Sequence, residues 1–100
     1  MKILITGGSG FIGTNLIELF ISKGYDFVNI DKSPPLNSRH STFWRKVDIL
    51  DVQELQSVFN EYEPNIVIHL AAKTDTVGLS IDYYIDNTKG TENLIEVIQK

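Results

Sequence analysis

One hundred residues allow a single domain, and a composition of 42% hydrophobic and 22% charged residues is typical of a globular chain. The formal net charge is −4 and the Lys and Arg residues are scattered, so nothing favours binding to nucleic acid or to an anionic membrane surface. The chain has no cysteine, which excludes disulfides and thiolate metal sites. Its apolar start is too short for a secretion signal or a membrane span, and we expect a cytoplasmic protein.

The chain opens with a short apolar segment, residues 3–5, that predicts a β-strand buried on both faces. A helix is predicted next, because four apolar residues and a lysine recur at spacings of three and four: Ile12, Leu16, Leu19, Phe20 and Lys23. Gly24 stands where a glycine commonly ends a helix. These two elements form the first β-α unit.

A second buried strand is predicted over residues 27–30. A weaker, alternating strand over residues 43–47 suits a position nearer the sheet edge. Between them, residues 32–42 are rich in turn-forming residues and predict a loop. We expect His40, which lies in this loop, to be exposed to solvent.

The second helix has a defined predicted start. Asp51 and Glu54 have the spacing of a capping box, in which the first side chain accepts a hydrogen bond from a backbone amide of the first turn. The apolar positions that follow recur at helical spacing: Leu55, Val58, Phe59 and Tyr62. Pro64 ends this helix.

A continuous apolar segment, residues 66–70, predicts the last strand. In the helix predicted after it, five residues share one face that Leu94 and Val97 flank: Tyr84, Thr88, Thr91, Ile95 and Ile98. The complete order is β-α-β-β-α-β-α, which implies right-handed crossovers and a parallel sheet covered on both sides. We therefore predict an α/β fold with a doubly wound parallel sheet and the strand order 3-2-1-4.

A glycine-rich loop joins the first strand to the first helix. Gly8-x-Gly10-x-x-Gly13 follows the strand and opens the helix, which is the setting that a dinucleotide-binding fingerprint requires. Free backbone N–H groups and the helix dipole favour a diphosphate there, and glycines carry no side chain to keep it away. The sequence predicts a Rossmann-type nucleotide-binding domain over residues 1–100; the alternative is a tight turn with incidental glycines.

Asp31 ends the second strand, and the turn-rich loop after it is where an adenosine would be contacted. A carboxylate there can accept hydrogen bonds from both ribose hydroxyls and would repel a 2′-phosphate, which favours NAD over NADP. Lys32 and Arg39 are nearby cations that could blur this preference, and a turn cap is the alternative role for Asp31. Asp48 and Ile49 follow the third strand, where a carboxylate can accept from the exocyclic amine of adenine.

Several segments together resemble one family. Thr6-Gly7-Gly8-Ser9-Gly10-Phe11-Ile12-Gly13 is similar to the T-G-x-x-G-F-I-G signature of extended short-chain dehydrogenases/reductases, particularly nucleotide-sugar epimerases and dehydratases. The similarity continues in order through Asp31-Lys32, Asp48-Ile49, His69-Leu70-Ala71-Ala72 and residues 83–91, the last similar to the family's Y-x-x-N-x-x-G-T segment. The resemblance therefore covers nearly the whole chain.

The resemblance implies a set of NAD-binding residues. The pyrophosphate would meet the loop that contains Gly7, Gly10 and Gly13, with backbone amides offered by Phe11 and Ile12. Other parts of the cofactor would be met by Asp31 and Lys32 at the adenosine ribose, Asp48 and Ile49 at the adenine, Leu70, Ala71, Ala72 and Lys73 along the nicotinamide ribose, and Asn87 near the cofactor on its own helix.

The family's chemistry depends on a Y-x-x-x-K pair, and none of the four tyrosines has a lysine four residues later. The resemblance places that pair beyond residue 100, so we expect no catalytic residue and no activity in this chain alone. The two histidines stand alone without an acidic cluster, so we expect no metal site. His69 lies in an apolar strand and is expected to be a hydrogen-bonded core histidine rather than a base. For Tyr83 and Tyr84, core packing and contact with a sugar nucleotide both stay open.

The resemblance favours the NAD-binding N-terminal part of an NAD-dependent nucleotide-sugar epimerase or dehydratase. Such an enzyme acts on a nucleoside-diphosphate sugar by transient hydride transfer from a sugar carbon. The alternatives are a catalytically inactive dinucleotide-sensing module and an NADP-dependent reductase relative. We expect a truncated chain in which strand 66–70 lacks a parallel neighbour on its outer side. We expect this chain to bind NAD weakly and to self-associate through that open strand edge.

Overall fold

The computed structural model describes the backbone of residues 1–70 and 81–99 and the side chains of residues 1–70 and 89–99. Its elements are β1 (Lys2–Thr6), α1 (Phe11–Lys23), β2 (Asp26–Asp31), a 3-10 helix (Ser38–Phe43), β3 (Trp44–Lys46), α2 (Val52–Tyr62), β4 (Ile66–His69) and α3 (Ile81–Ile98). The predicted order of strands and α-helices is confirmed. The 3-10 helix is an addition, because it lies mostly within the segment predicted as a loop.

The four strands form one parallel sheet in the order β3-β2-β1-β4, which confirms the predicted order. The chain runs outward from β1 through β2 to β3, then crosses back and places β4 on the other side of β1. In sheets of this type a crevice forms at the carboxyl ends of the strands, at the point where the strand order reverses. Here that point lies between β1 and β4.

Side chains of β1 alternate between two cores, as a strand covered on both faces requires. On one face Leu4 packs in a cluster with Ile30 of β2, Val47 after β3, and four residues of α2 and α3: Leu55, Val58, Leu94 and Val97. On the other face Ile3 and Ile5 pack with Ile17 and Phe20 of α1 and with Phe27. The sheet is therefore covered by two helices on one side and by one helix on the other.

The buried face of α1 contains only part of the pattern that predicted the helix. Ile17 and Phe20 are buried, whereas Ile12 is 65% and Leu19 is 49% exposed. The helix meets the glycine loop through Gly13, and the residues four and seven positions further along share that inward face. The spacing therefore predicts the helix correctly but does not identify its buried face, because apolar residues lie on more than one side of this helix.

The buried face of α3 is also rotated from the predicted one. Leu94 and Val97 are buried, whereas Ile95 and Ile98 are each about half exposed. Gly90 explains the rotation, because a Cβ on it would lie 2.4 Å from Ile49 Cδ1. The helix therefore packs through the face of Gly90, and the two isoleucines on the next face remain outside.

The second helix follows its prediction closely. The Asp51 side chain accepts a hydrogen bond from the Glu54 amide at 3.1 Å, and Leu55 and Val58 are buried. In a complete capping box the side chain of residue 54 would in turn accept from the amide of residue 51. Here the Asp51 amide donates instead to the Asp48 carbonyl at 2.8 Å, which closes a turn. In the part of the chain that the structure describes, neither α2 nor any other helix has the length and apolarity needed to cross a membrane.

Candidate functional site

A groove of about 360 Å³ lies at the carboxyl ends of the strands. Seven of the residues predicted to bind the cofactor line it: Gly7, Gly10, Asp31, Lys32, Asp48, Ile49 and Leu70. They follow four different strands, and the parallel sheet brings them to one edge. A larger cavity of about 600 Å³ between α2 and α3 is lined by none of the predicted residues whose side chains the structure describes.

Three further predicted residues are described, and they do not line the groove with side chains. Phe11 and Ile12 have exposed side chains, which agrees with a predicted role that uses only their backbone amides. Gly13 packs inward against the loop. Residues 71–73, namely Ala71, Ala72 and Lys73, lie outside the described residues, and so does the side chain of Asn87.

The glycine loop ends at an uncapped helix start. Gly7 has a φ of 74°, a left-handed conformation that favours glycine. Gly10 is the residue before α1 and has no side chain with which to cap the helix. The first helical bond runs from the Thr14 amide to the Gly10 carbonyl at 2.8 Å, so the amides of Phe11 and Ile12 precede the helical ladder. These amides can donate to an anion.

Close packing holds the loop in this shape. A Cβ on Gly13 would lie 2.4 Å from the Gly8 Cα, so the first turn of the helix and the glycine loop touch through backbone atoms. The fully buried Asn29 of β2 accepts a hydrogen bond from the Gly8 amide at 2.8 Å and donates to the Ser9 hydroxyl at 3.2 Å. Sequence reasoning missed this role of Asn29, although a lone amide between two apolar residues of a buried strand was an available signal.

Asp31 lies at the end of β2 and is partly buried. One carboxylate oxygen accepts a hydrogen bond from the Ser9 amide at 3.0 Å, and the other accepts from the Ser33 amide at 2.9 Å. The second bond is the turn cap that was the alternative role, so the carboxylate caps a turn and lines the groove as well. An ionised carboxylate offers about four acceptor positions, and two of them remain for ribose hydroxyls.

The turn after β3 forms the opposite wall of the groove. The Asp48 carboxylate accepts from the Leu50 amide at 3.0 Å, and both residues line the groove with Ile49. Asn93 of α3 holds this turn from behind, because its side-chain amide donates to the carbonyls of Ile49 at 2.9 Å and Leu50 at 3.2 Å. Sequence reasoning missed Asn93.

His69 links the sheet to α3. Its Nδ1 lies 2.6 Å from the Thr6 hydroxyl, and its Nε2 lies 3.0 Å from the Thr91 hydroxyl. Burial lowers the pKa of this imidazole, which favours its neutral form. The structure thus confirms that His69 is hydrogen-bonded, but places it in a partly buried position rather than a fully buried one.

The expectation that His40 is exposed was wrong, because the residue is only 1% exposed. Its Nε2 lies 2.8 Å from a carboxylate oxygen of Glu18 in α1, which also accepts from Asn37 at 3.0 Å. The hydrogen bond with His40 and the nearby Arg39 guanidinium hold the pKa of Glu18 below its usual value. The segment after β2 is therefore attached to α1, which turn composition alone could not reveal.

This attached segment contributes apolar residues to the groove. Pro34 and Leu36 line it on the side of Asp31, and Leu36 is 70% exposed. Leu50 lines the groove from the turn after β3. The groove thus combines an amide-rich end, two carboxylates and an apolar middle, which is the composition expected of a nucleotide site. Pro34 and Leu36 belong to the turn-rich segment predicted to contact the adenosine, whereas Leu50 was not predicted.

The sequence profile of the NAD dependent epimerase/dehydratase family matches residues 3–100. A dTDP-glucose 4,6-dehydratase of Haemophilus influenzae is 37% identical over 97% of this chain and 32% of its own length. A UDP-glucose 4-epimerase of Schizosaccharomyces pombe is 34% identical over 98% of this chain and 31% of its own length.

Solved structures show the same similarity. A crystal structure of UDP-glucose 4-epimerase from Brucella ovis in complex with NAD superposes with a TM-score of 0.83 and 34% identity, over 98% of this chain and 32% of the other. The chain spans about a third of the length of these relatives. Because the family profile matches all but the first two residues, this chain belongs to the NAD-dependent epimerase/dehydratase family.

Proposed function

We propose that this chain binds NAD in the groove at the carboxyl ends of its strands. The observation that carries the proposal is that the uncapped start of α1 and the Asp31 carboxylate line one groove. A diphosphate matches the first, and a ribose with two free hydroxyls matches the second. The family to which the chain belongs supports the same ligand.

Each part of the cofactor has a proposed contact in the groove. The amides of Phe11 and Ile12, next to Gly10, would donate to the pyrophosphate, and Gly7 and Gly13 would keep the loop in the required shape. The adenosine and nicotinamide ends would be met by Asp31 and Lys32 at the ribose, Asp48 and Ile49 at the adenine, and Leu70, Ala71, Ala72, Lys73 and Asn87 toward the nicotinamide. The free acceptor positions on Asp31 and the apolar middle of the groove support this arrangement.

For the whole protein we propose the activity of an NAD-dependent nucleotide-sugar epimerase or dehydratase. A bound NAD would supply the hydride acceptor for a sugar carbon, and this chain would supply the residues that bind and orient it. The names of the relatives support a nucleoside-diphosphate sugar as substrate. The catalytic Y-x-x-x-K pair would then belong to sequence outside residues 1–100.

Titration calorimetry of the chain with NAD and with NADP tests the proposal. We expect saturable, one-to-one binding of NAD and weaker binding of NADP, because the Asp31 carboxylate would repel a 2′-phosphate. Tighter binding of NADP would favour the reductase alternative, and no binding of either would refute the proposal. A parent protein that binds NAD but lacks the Y-x-x-x-K pair would favour the sensing module.

Two further properties stay predictions. The first is a cytoplasmic location, which cell fractionation tests. The second is self-association through the edge of β4, which has β1 as its only partner among the described strands. Analytical ultracentrifugation of the chain at increasing concentration tests the second, and a sedimentation coefficient that does not change with concentration would contradict it.

A further inference from the structure

We propose that Asn93 is a positioning residue for the adenine end of the dinucleotide site, an inference that rests on the proposed function. Asn93 lies on α3 and is 3% exposed, and no side chain that the structure describes on that helix lines the groove. Its side-chain nitrogen donates to the carbonyl oxygens of Ile49 at 2.9 Å and Leu50 at 3.2 Å. Asn93 therefore acts on the groove through the turn that follows β3.

The same turn carries the proposed adenine contacts. The Leu50 amide donates to the Asp48 carboxylate at 3.0 Å, and it belongs to the same peptide unit as the Ile49 carbonyl that accepts from Asn93. The Ile49 side chain packs against Gly90 of α3, so closely that a Cβ on Gly90 would lie only 2.4 Å from Ile49 Cδ1. The helix therefore also holds the turn through this packing contact. Two independent contacts from one helix thus fix the direction of Asp48.

An asparagine has the chemistry that this position requires. Its amide nitrogen carries two hydrogens, one for each carbonyl oxygen. An aspartate would present acceptors to acceptors, and a leucine of similar size would leave two carbonyls without their donor. The carbonyl groups of this half-buried turn would then rotate toward water, and the Asp48 carboxylate would move with them.

A discriminating readout follows from the chemistry of the base. Adenine has an exocyclic amine that Asp48 can accept from, whereas hypoxanthine has a carbonyl oxygen at that position, which a carboxylate repels. A well-placed Asp48 therefore favours NAD over nicotinamide hypoxanthine dinucleotide. The ratio of the two dissociation constants measures how well the carboxylate is positioned, and general loss of stability does not change it.

The test compares Asn93→Leu with Val97→Ala, which removes buried volume from the same helix one turn further on, at a residue that does not itself line the groove. We expect Asn93→Leu to reduce the preference for NAD over the hypoxanthine analogue by about fivefold. We expect Val97→Ala to leave this preference unchanged while lowering the thermal stability. An unchanged preference in Asn93→Leu, beside normal NAD binding by the unmodified chain, would overturn the role of Asn93 alone.

A second measurement needs no variant and covers the case in which Asn93→Leu does not fold. In NMR spectra of the unmodified chain we expect the side-chain amide signals of Asn93 to shift when 5′-AMP is added, and not when nicotinamide mononucleotide is added. If the Asn93 side-chain signals do not shift with 5′-AMP while the backbone amide signals of Ser9 and Leu50 do, the inference is overturned. A chain that binds no nucleotide at all would instead refute the proposed function, and this inference with it.

Discussion

The Asp31 carboxylate accepts a hydrogen bond from the Ser9 amide at 3.0 Å and thereby ties the end of β2 to the glycine loop after β1. Its second oxygen holds the Ser33 amide at the start of the segment that forms one wall of the groove. A single side chain thus fixes two walls of the groove relative to each other. Its remaining acceptor positions are oriented before any ligand binds, which reduces the entropic cost of binding.

Replacement of Asp31 by asparagine should weaken NAD binding and reduce the discrimination against NADP. Asparagine removes the negative charge and offers one acceptor oxygen instead of two, so we expect a loss of about tenfold in NAD affinity. The repulsion of a 2′-phosphate disappears with the charge, so NADP should lose less affinity or gain some. Calorimetric titrations with both cofactors measure these changes.

Asp26→Asn is the matched control, because Asp26 begins the same strand at the opposite end of the sheet and accepts from the Tyr62 hydroxyl at 2.7 Å. It should leave both affinities unchanged. A loss of NAD affinity as large as that of Asp31→Asn would count against the proposed ribose contact.

Two glycines of the loop should respond differently to alanine. A Cβ on Gly13 would meet backbone atoms of Gly8 at 2.4 Å, and since backbone cannot move aside, Gly13→Ala should destabilise the fold by about 3 kcal/mol. A Cβ on Gly10 meets its nearest atom at 3.9 Å, so Gly10→Ala should cost less than about 1 kcal/mol.

Although Gly10→Ala should cost little stability, it should weaken the binding of NAD. The methyl group of Gly10→Ala would occupy space at the start of α1 where the diphosphate is proposed to lie, so we expect at least about a tenfold loss of affinity. Urea unfolding measures the stability of both variants, and calorimetry measures the affinity of Gly10→Ala. A Gly10→Ala chain with both normal stability and normal affinity would show that the diphosphate lies elsewhere.

The free energy of unfolding should decrease as the pH is lowered, and part of this decrease should come from His69. Burial lowers the pKa of His69 from 6.5, so the unfolded chain binds a proton at a pH where the folded chain does not. The free energy of unfolding therefore decreases as the pH falls from 6.5 toward the lowered pKa, and this residue contributes no slope well above 6.5.

His69→Gln tests this prediction, because glutamine keeps a donor and an acceptor and does not titrate. Urea unfolding at a series of pH values should give a shallower slope below pH 6.5 for the variant than for the unmodified chain. Other titrating groups are common to both chains and cancel in the difference. Equal slopes would mean that the imidazole becomes protonated as readily in the fold as in the unfolded chain.

Removal of Glu18 should loosen the segment that carries Pro34 and Leu36. The Glu18 carboxylate holds His40 at 2.8 Å and Asn37 at 3.0 Å, so Glu18→Ala releases the 3-10 helix from α1. We expect faster amide exchange over residues 38–43 and a several-fold lower NAD affinity, measured by hydrogen exchange with mass spectrometry and by calorimetry.

Glu61→Ala provides the comparison for Glu18→Ala. Glu61 also has a lowered pKa, which comes from its hydrogen bond with Arg45 at 2.7 Å, and it lies away from the segment that carries Leu36. Its loss should change neither the exchange over residues 38–43 nor the affinity for NAD. Identical exchange in all three chains would show that the Glu18 contact does not hold the segment.

The sequence predicted the elements and their order because local signals decide them. Gly24 lies in the left-handed conformation at φ 70° that ends α1, and Asp51 caps α2, as their positions in the sequence indicated. Strand order followed from the alternation of strands and helices together with the fingerprint of Gly8, Gly10 and Gly13. Seven predicted cofactor residues then met at one groove, because parallel strands end at the same edge.

What the sequence did not predict depends on contacts between distant segments. The face of α3 that meets the sheet depends on the close packing of Gly90 against Ile49. The burial of His40 depends on its contact with Glu18, which lies 22 residues earlier in the chain. Helical spacing describes which residues share a face but not which face meets the sheet when several are apolar. Asn93 could not be recognised for the same reason, since its acceptors are backbone carbonyls 44 and 43 residues away.

A crystal structure of the chain grown with NAD tests the central claim most directly. We predict a diphosphate within hydrogen-bond distance of the Phe11 and Ile12 amides, and both adenosine ribose hydroxyls within hydrogen-bond distance of Asp31. A dinucleotide bound away from the glycine loop, or bound there with its ribose turned from Asp31, would contradict the account.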